Sequence, residues 1–244
     1  NKTLRMFNLG EFTEFSRETL GSGSQMGEAR SSDEIVCKVA VKHPEARGVG
    51  IFLKELAGMG LATPPGLSGF TGAGRARPSP VVRLFSYLTY KSAVPITIDI
   101  EGEVITHHDV TRASKSVPGE PATLASPDDA AIDIPLIKLA WGRSGDKGNK
   151  ANIGIIARKP EYLPYIWAAL TEDVISKVYG HFMAQPDAVE RFLLPGSNAM
   201  NILIDNVLGG GGAASLRNDA QAKGYAQILL ARSIPVSKNI AESL

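Results

Sequence analysis

A single cysteine in 244 residues excludes an internal disulfide framework and any zinc site built on thiolates. Long apolar runs are missing as well. The longest, such as Ile153 to Ala157 and Ile228 to Ala231, fall far short of the roughly 18 residues that a membrane-crossing helix needs. Charge of one sign is not in excess. With 26 basic against 25 acidic side chains, and no stretch that concentrates Lys and Arg, the chain offers no field for nucleic acid or an anionic membrane surface. The opening residues carry mixed charges and resemble neither a signal peptide nor a lipidation motif, so a cytoplasmic location is expected. Histidine is scarce: His43 and His181 stand alone, and the adjacent His107 and His108 would point to opposite faces of a strand, so no metal centre is expected. The nucleophile-elbow pattern, the phosphate-loop pattern and a Gly-rich dinucleotide fingerprint after a strand are all absent. Recognition must therefore be local, of a small molecule or of protein, without nucleic acid or membrane.

What is present is a 43% hydrophobic chain, enough for real cores in one large domain or two ordinary ones. A segment dominated by Ala, Ser, Pro, Asp and Gly and lacking aromatics marks residues 112–133 as a flexible linker. It would separate residues 1–111 from a second domain over residues 134–237, with 238–244 as a tail. Ahead of the linker, the pattern predicts a helix over Glu11 to Leu20 and a strand over Glu34 to Lys42, with Cys37 on its apolar face as a small core residue. A helix over Val49 to Met59 follows, then a strand over Val81 to Thr89. The pair Ile96 to Ile100 and Glu103 to His107 reads as a hairpin turned at Glu101 and Gly102.

Beyond the linker, strands are predicted over Pro135 to Trp141, Ala151 to Ala157, Val189 to Leu194 and Ala214 to Asn218. Helices are predicted after the cap residue Thr171, over Asn198 to Leu208 capped by Ser197, and through Ala222 to Leu230. Strands and helices interleaved in this way point to an α/β (α+β) sandwich, one sheet with helices on one face, of the ferredoxin-like kind.

Three segments stand out chemically. Between two apolar runs lies GRSGDKGNK, which sets Arg143, Asp146 and Lys147 among glycines that leave backbone amides open to a ligand. Arg143 suits a carboxylate or phosphate, and Asp146 with Lys147 suits acid/base work; the alternative is a solvated hairpin loop with a surface ion pair. Ser144, Asn149 and Asn152 would bind substrate beside them. The second segment is Gly209 to Gly212, followed by Ser215, Arg217 and Asp219. Here Gly210, Gly211, Ser215 and Arg217 are candidate substrate contacts, against a reading as a tight connection in which Arg217 pairs with a nearby acid. The third is the long Pro- and Gly-rich loop Pro64 to Pro80, in which Arg75 and Arg77 are the candidates.

The stretches PPGLSGFTG and PSPVVRLFSYL before the linker resemble the acyclic terpene utilisation AtuA family. So do RSGDKGNKANIGIIAR, VERFLLPGSNAMNILIDNVLGGG and SLRNDAQAK after it. The resemblance implies a small ferredoxin-like domain beginning near Ile134, preceded by the C-terminal portion of a larger α/β domain. Family members carry a long glycine- and Asp-rich region ahead of anything seen here. Since the chain opens on Asn1 and not Met, the natural polypeptide is expected to extend upstream, with that domain as a partner. The family's link to breakdown of citronellol- and geraniol-type terpenes implies a branched acyl-CoA or related carboxylic acid as substrate, handled by acid/base chemistry of the lyase or hydratase type. No cofactor is expected, the CoA thioester entering as substrate. The contrasting expectation is a non-catalytic assembly or lid module that forms a homo-oligomer or closes over a catalytic domain.

Overall fold

Alternation of apolar residues with period two organises the centre of the fold. Ala151, Ile153, Ile155 and Ala157 are all buried while the residues between them are more open, so residues 150–157 run as a strand with one covered face. In a computed structural model, which describes residues 1–62, 66, 76–108, 123–183 and 188–244, that strand is central in a four-stranded antiparallel sheet.

In chain order the described elements begin with α1 (Lys2–Met6), β1 (Glu14–Leu20), β2 (Val36–Lys42), α2 (Ala46–Leu61), β3 (Ile96–Ile100) and β4 (Glu103–His107). Next come β5 (Ile132–Pro135), α3 (Leu136–Leu139), β6 (Ala140–Lys147), β7 (Lys150–Ala157), α4 (Leu163–Ala169) and α5 (Glu172–Tyr179). The last are β8 (Val189–Leu194), β9 (Ala199–Ile204), α6 (Tyr225–Leu230), β10 (Ser233–Val236) and α7 (Lys238–Glu242). Residues 1–84 and 124–244 form one compact unit, and residues 85–123 form another. In the second unit, β3 and β4 pair as the expected hairpin, its turn made by Glu101 and Gly102 at positive φ, with the Gly102 N–H donating to Asp99 Oδ1 at 2.9 Å.

In the first unit the sheet order is β6-β7-β9-β8, every pair antiparallel. Hairpin β6–β7 leads through α4 and α5 to hairpin β8–β9, and then to α6. Read as a cycle, hairpin, helix, hairpin, helix is the split β-α-β arrangement of a ferredoxin-like sandwich, entered at a different strand. The fold class is therefore α+β. Helices cover one face only, over a core that includes Ile153, Ile155, Met200, Ile202, Ile204, Ile166, Ile175 and Leu229. The strands β5 and β10 form a separate antiparallel ribbon, as do β1 and β2.

Several local expectations are corrected. Residues 14–20 form β1 and not a helix, because in register with β2 each residue gains a backbone partner that the isolated segment lacks. The segment Asn198 to Leu208 is likewise no helix. Met200, Ile202 and Ile204 are also spaced by two, and β9 places all three in the core while left-handed Asn198 and Asn206 bracket the strand. Ser197 accordingly caps nothing; its hydroxyl donates to the Leu194 carbonyl at 3.2 Å. Residues 214–218 and 81–89 form no strand. The predicted strand over Pro135 to Trp141 is divided into β5, α3 and the start of β6. Cys37 does lie in a strand, but its thiol is exposed, since a two-stranded ribbon leaves side chains open that a sheet core would cover. Half of the expected linker, residues 112–122, lies outside the described residues.

The loop expected at Gly142 to Asn149 is also absent as a loop. β6 continues to Lys147, and a turn of only Gly148 and Asn149 leads into β7. That turn packs directly on Gly211, where a Cβ would come within 2.4 Å of the Gly148 carbonyl oxygen at φ +78, whereas a Cβ on Gly148 would meet nothing within 4 Å. Gly148→Ala is therefore expected to cost about 1 kcal/mol, from its left-handed backbone alone, and Gly211→Ala upward of about 3 kcal/mol. Urea unfolding of the two variants side by side checks the difference.

Candidate functional site

Strand periodicity decides where the conspicuous residues of β6 point. Ser144 and Asp146 face the helices, in rows with Ile153 and Ala151 of β7, while Arg143 belongs to the opposite face in a row with Gly154 and Asn201. Lys147 and Asn152 also belong to that opposite face. Arg143, Asp146 and Lys147 therefore do not converge. The Lys147 ammonium donates to the Asp146 carbonyl at 3.1 Å, and Asn152 Nδ2 donates to Asn201 Oδ1 at 2.9 Å across the open face.

The fold does bring together the first two of the three segments singled out in the sequence. Asn149 Oδ1 accepts the Gly210 N–H at 2.7 Å, Asn149 Nδ2 donates to Asn206 Oδ1 at 3.1 Å, and the Asn149 carbonyl accepts the Val207 N–H at 3.2 Å. Asn149, Gly210 and Gly211 thus form a joint between the hairpin turn and the glycine run. Ser144 is a second clamp. Its buried hydroxyl donates to the Ala222 carbonyl at 2.6 Å and accepts the Ala226 N–H at 2.9 Å, fixing the entry to α6. Ser215 Oγ accepts the Arg217 N–H at 3.2 Å, and the Ser215 N–H donates to the Gly211 carbonyl at 2.9 Å.

Arg217 pairs with backbone and not with an acid: its guanidinium donates to the carbonyls of Val207 and Phe182 and lies 5.4 Å from the centre of the Phe182 ring. Below it, Phe182, Tyr225 and Tyr179 stack with ring centres 5.0 Å apart. Burial raises the hydroxyls of Tyr179 and Tyr225 above the ordinary phenol range, with Arg217 partly opposing this at Tyr225. Arg77 is exposed and outside regular structure, and Arg75 lies outside the described residues.

Asp146 is the predicted catalytic residue that meets a cleft. Its Oδ1 lies 4.0 Å from Lys223 Nζ, and a Cβ on Gly212 would sit 3.5 Å from its Oδ2. Gly212 and Lys223 line a hollow of about 560 Å³ together with Gln25, Asn218, Asp219, Gln221 and Ile228. Asp219 braces the lining, its two carboxylate oxygens accepting the N–H groups of Lys223 and Gly224 at 2.7 Å each. Because Gly212 presents no side chain, ligand atoms can approach both the carboxylate of Asp146 and the ammonium of Lys223. Sequence reasoning missed Lys223, Gln221 and Gln25. For the first two the signal was the run Asn218 to Gly224, dense in polar groups directly after the glycines; Gln25 is distant in sequence and carried none.

A family model described as the AtuA ferredoxin-like domain matches residues 134–235. A second, described as acyclic terpene utilisation family protein AtuA, matches residues 1–100. The chain belongs to the AtuA family. Comparison with curated proteins and with solved structures finds no match. The two AtuA matches divide the cleft between them: Gln25 falls in the match over residues 1–100, and Asp146, Gly212 and Lys223 fall in the match over residues 134–235. Among the described residues, no three His, Cys, Asp or Glu side chains come together as metal ligands. No described helix is long and apolar enough to cross a membrane.

The Ser144 clamp gives a test of scaffold against substrate contact. Ser144→Ala strands a buried carbonyl and a buried N–H, so it is expected to lower stability by about 1 to 3 kcal/mol while the folded fraction keeps its ligand affinity. Chemical denaturation and a binding titration on the same variant check both halves.

Proposed function

We propose that this AtuA chain serves acyclic terpenoid breakdown as an enzyme, or part of one, acting on a branched acyl-CoA or related carboxylic acid. Supporting this is the meeting of Asp146, Lys223 and side-chain-free Gly212 at the rim of one cleft. Removing a proton from carbon beside a thioester breaks a C–H bond and sends the electron pair to the carbonyl oxygen. The Asp146 carboxylate takes the proton, and the Lys223 ammonium matches the negative charge that develops on oxygen. In this reading Lys223 fills the cationic role that the sequence suggested for Arg143 and Lys147. The expected outcome is that the chain catalyses exchange of the α-proton of a branched acyl-CoA in deuterated water, measured by mass spectrometry. Asp146→Asn should lower the rate by about 100-fold or more. Lys223→Ala should lower it too, Arg143→Ala should not, and each variant should stay within about 0.5 kcal/mol of the parent stability. Equal rates in the parent and Asp146→Asn would refute the assignment.

The uncovered face of the sheet favours a second role, assembly with another copy of the chain. Trp141, Ile156, Phe192 and Leu194 are large apolar side chains left 53%, 47%, 45% and 45% exposed, concentrated at one end of that face. Its two edges differ in charge, with Arg143 on β6 and Glu190 on β8. A two-fold axis along the strands, between β7 and β9, lays β6 of one copy over β8 of the other and sets opposite charges near each other at both rims. Sedimentation should show a dimer that Phe192→Asp converts to monomer without unfolding it. A monomeric parent at micromolar concentration would rule this role out.

A further inference from the structure

A second hollow, of about 420 Å³, opens between the turn at residues 26–30 and the C-terminal ends of α5 and α6. The charged side chains lining it are Glu28, Arg30, Lys177 and Arg232, with His181 beside them. Glu28 is already taken: its Oε1 accepts from Arg30 Nη2 at 2.7 Å and from Arg30 Nε at 3.2 Å. Lys177 and Arg232 have no ion pair and no side-chain hydrogen bond among the described residues. After the one internal pair is cancelled, the lining carries two uncommitted cations and no uncommitted anion.

The wall is also built to bring backbone close. Gly27 sits at φ +73 against the His181 ring, where a Cβ would come within 2.5 Å of Nδ1, so only glycine permits this approach. The ring is fixed from two sides, at 3.9 Å between its centre and that of Phe182 and by Nε2 at 3.3 Å from the Gln25 carbonyl. The hollow is within the range of about 300 to 1,000 Å³ typical of small-molecule sites. It also shares Ile228 with the Asp146–Lys223 cleft, and the adjacent residues Gln25 and Met26 line one hollow each.

We propose that this hollow is an anion site for phosphate groups, and that it takes the diphosphate-bearing handle of the substrate whose acyl end lies in the neighbouring cleft. The choice of CoA as the source of those phosphates rests on the acyl-CoA reading; the phosphate chemistry of the hollow does not. Lys177 and Arg232 supply charge-assisted hydrogen bonds to phosphate oxygens, and Arg30 adds field behind its pair with Glu28.

Titration calorimetry of the whole chain with inorganic pyrophosphate, CoA and pantetheine, which lacks the phosphates, tests it. Both phosphate-bearing probes should bind, with CoA at least about tenfold tighter than pantetheine and weakening steeply with salt. The paired substitution Lys177→Ala and Arg232→Ala should remove at least about tenfold of pyrophosphate and CoA affinity and leave pantetheine binding and the melting temperature unchanged. Pyrophosphate binding that is undiminished in this variant, or absent from the parent, overturns the anion site. Pyrophosphate binding lost in the variant, with CoA no tighter than pyrophosphate, upholds the anion site and overturns acyl-CoA as the substrate.

Discussion

The turn at Gly148 and Asn149 pressed against Gly209 to Gly211 is the contact on which the rest of the small sandwich depends. Two stretches of backbone approach closer than any side chain at Gly211 would allow, and Asn149 joins them through its side-chain amide and its carbonyl. Four residues at this joint, Gly148, Asn206, Gly209 and Gly210, hold positive φ alongside Gly211. Such backbone is tolerable to glycine and to asparagine, whose short polar side chain bonds locally. With the joint fixed, the chain after β9 is carried over the end of the sheet, where Ser144 receives it and starts α6.

That path creates the cleft. Residues 209–224 contain no regular element, yet their polar groups are satisfied one after another: Ser215 on Arg217, Arg217 on two carbonyls, Asp219 on the N–H groups of Lys223 and Gly224. Hydrogen bonds of this density take the place of a helix or strand as the source of rigidity. The side chains that remain available at the hollow are Gln221 and Lys223, with Asp146 beside Lys223. An acid on β6 and a cation on a loop pinned on both sides are thus brought to within 4.0 Å of each other.

The N-terminal ribbon is tied to the same loop by a buried carboxylate. Glu18, only 8% exposed, accepts the Asn218 N–H at 2.7 Å and the Gln25 amide at 2.8 Å, with Lys38 Nζ at 3.5 Å. Lys38 also donates to the Leu216 carbonyl at 2.9 Å. An acid this enclosed depends on its partners, so removing one of the three weakens the compensation of its charge. The turn carrying Gln25, Met26 and Gly27 is held in this way against α5 and α6, and it forms a wall of both hollows.

Local pattern in the sequence settled the α+β class, the hairpin at Glu101 and Gly102, β8 and the Thr171 cap. Each of these is a short-range matter: a turn residue's φ, a capping hydroxyl, an alternation of side chains. Residues 14–20 and 199–204 were ambiguous on the same grounds, since spacings of two and of three to four coexist there, and ladder pairing across about twenty or fifty residues decided them as strands. Hairpin pairing with β7 extended β6 through the supposed loop. It thereby sent Arg143 and Asp146 to opposite faces, because successive residues of a strand point opposite ways. Asp146 found its cation in Lys223 rather than in its sequence neighbour Lys147. Sequence determined which residues could take part; the register of the sheet and the path of the glycine loop, which depend on contacts remote along the chain, decided which of them meet.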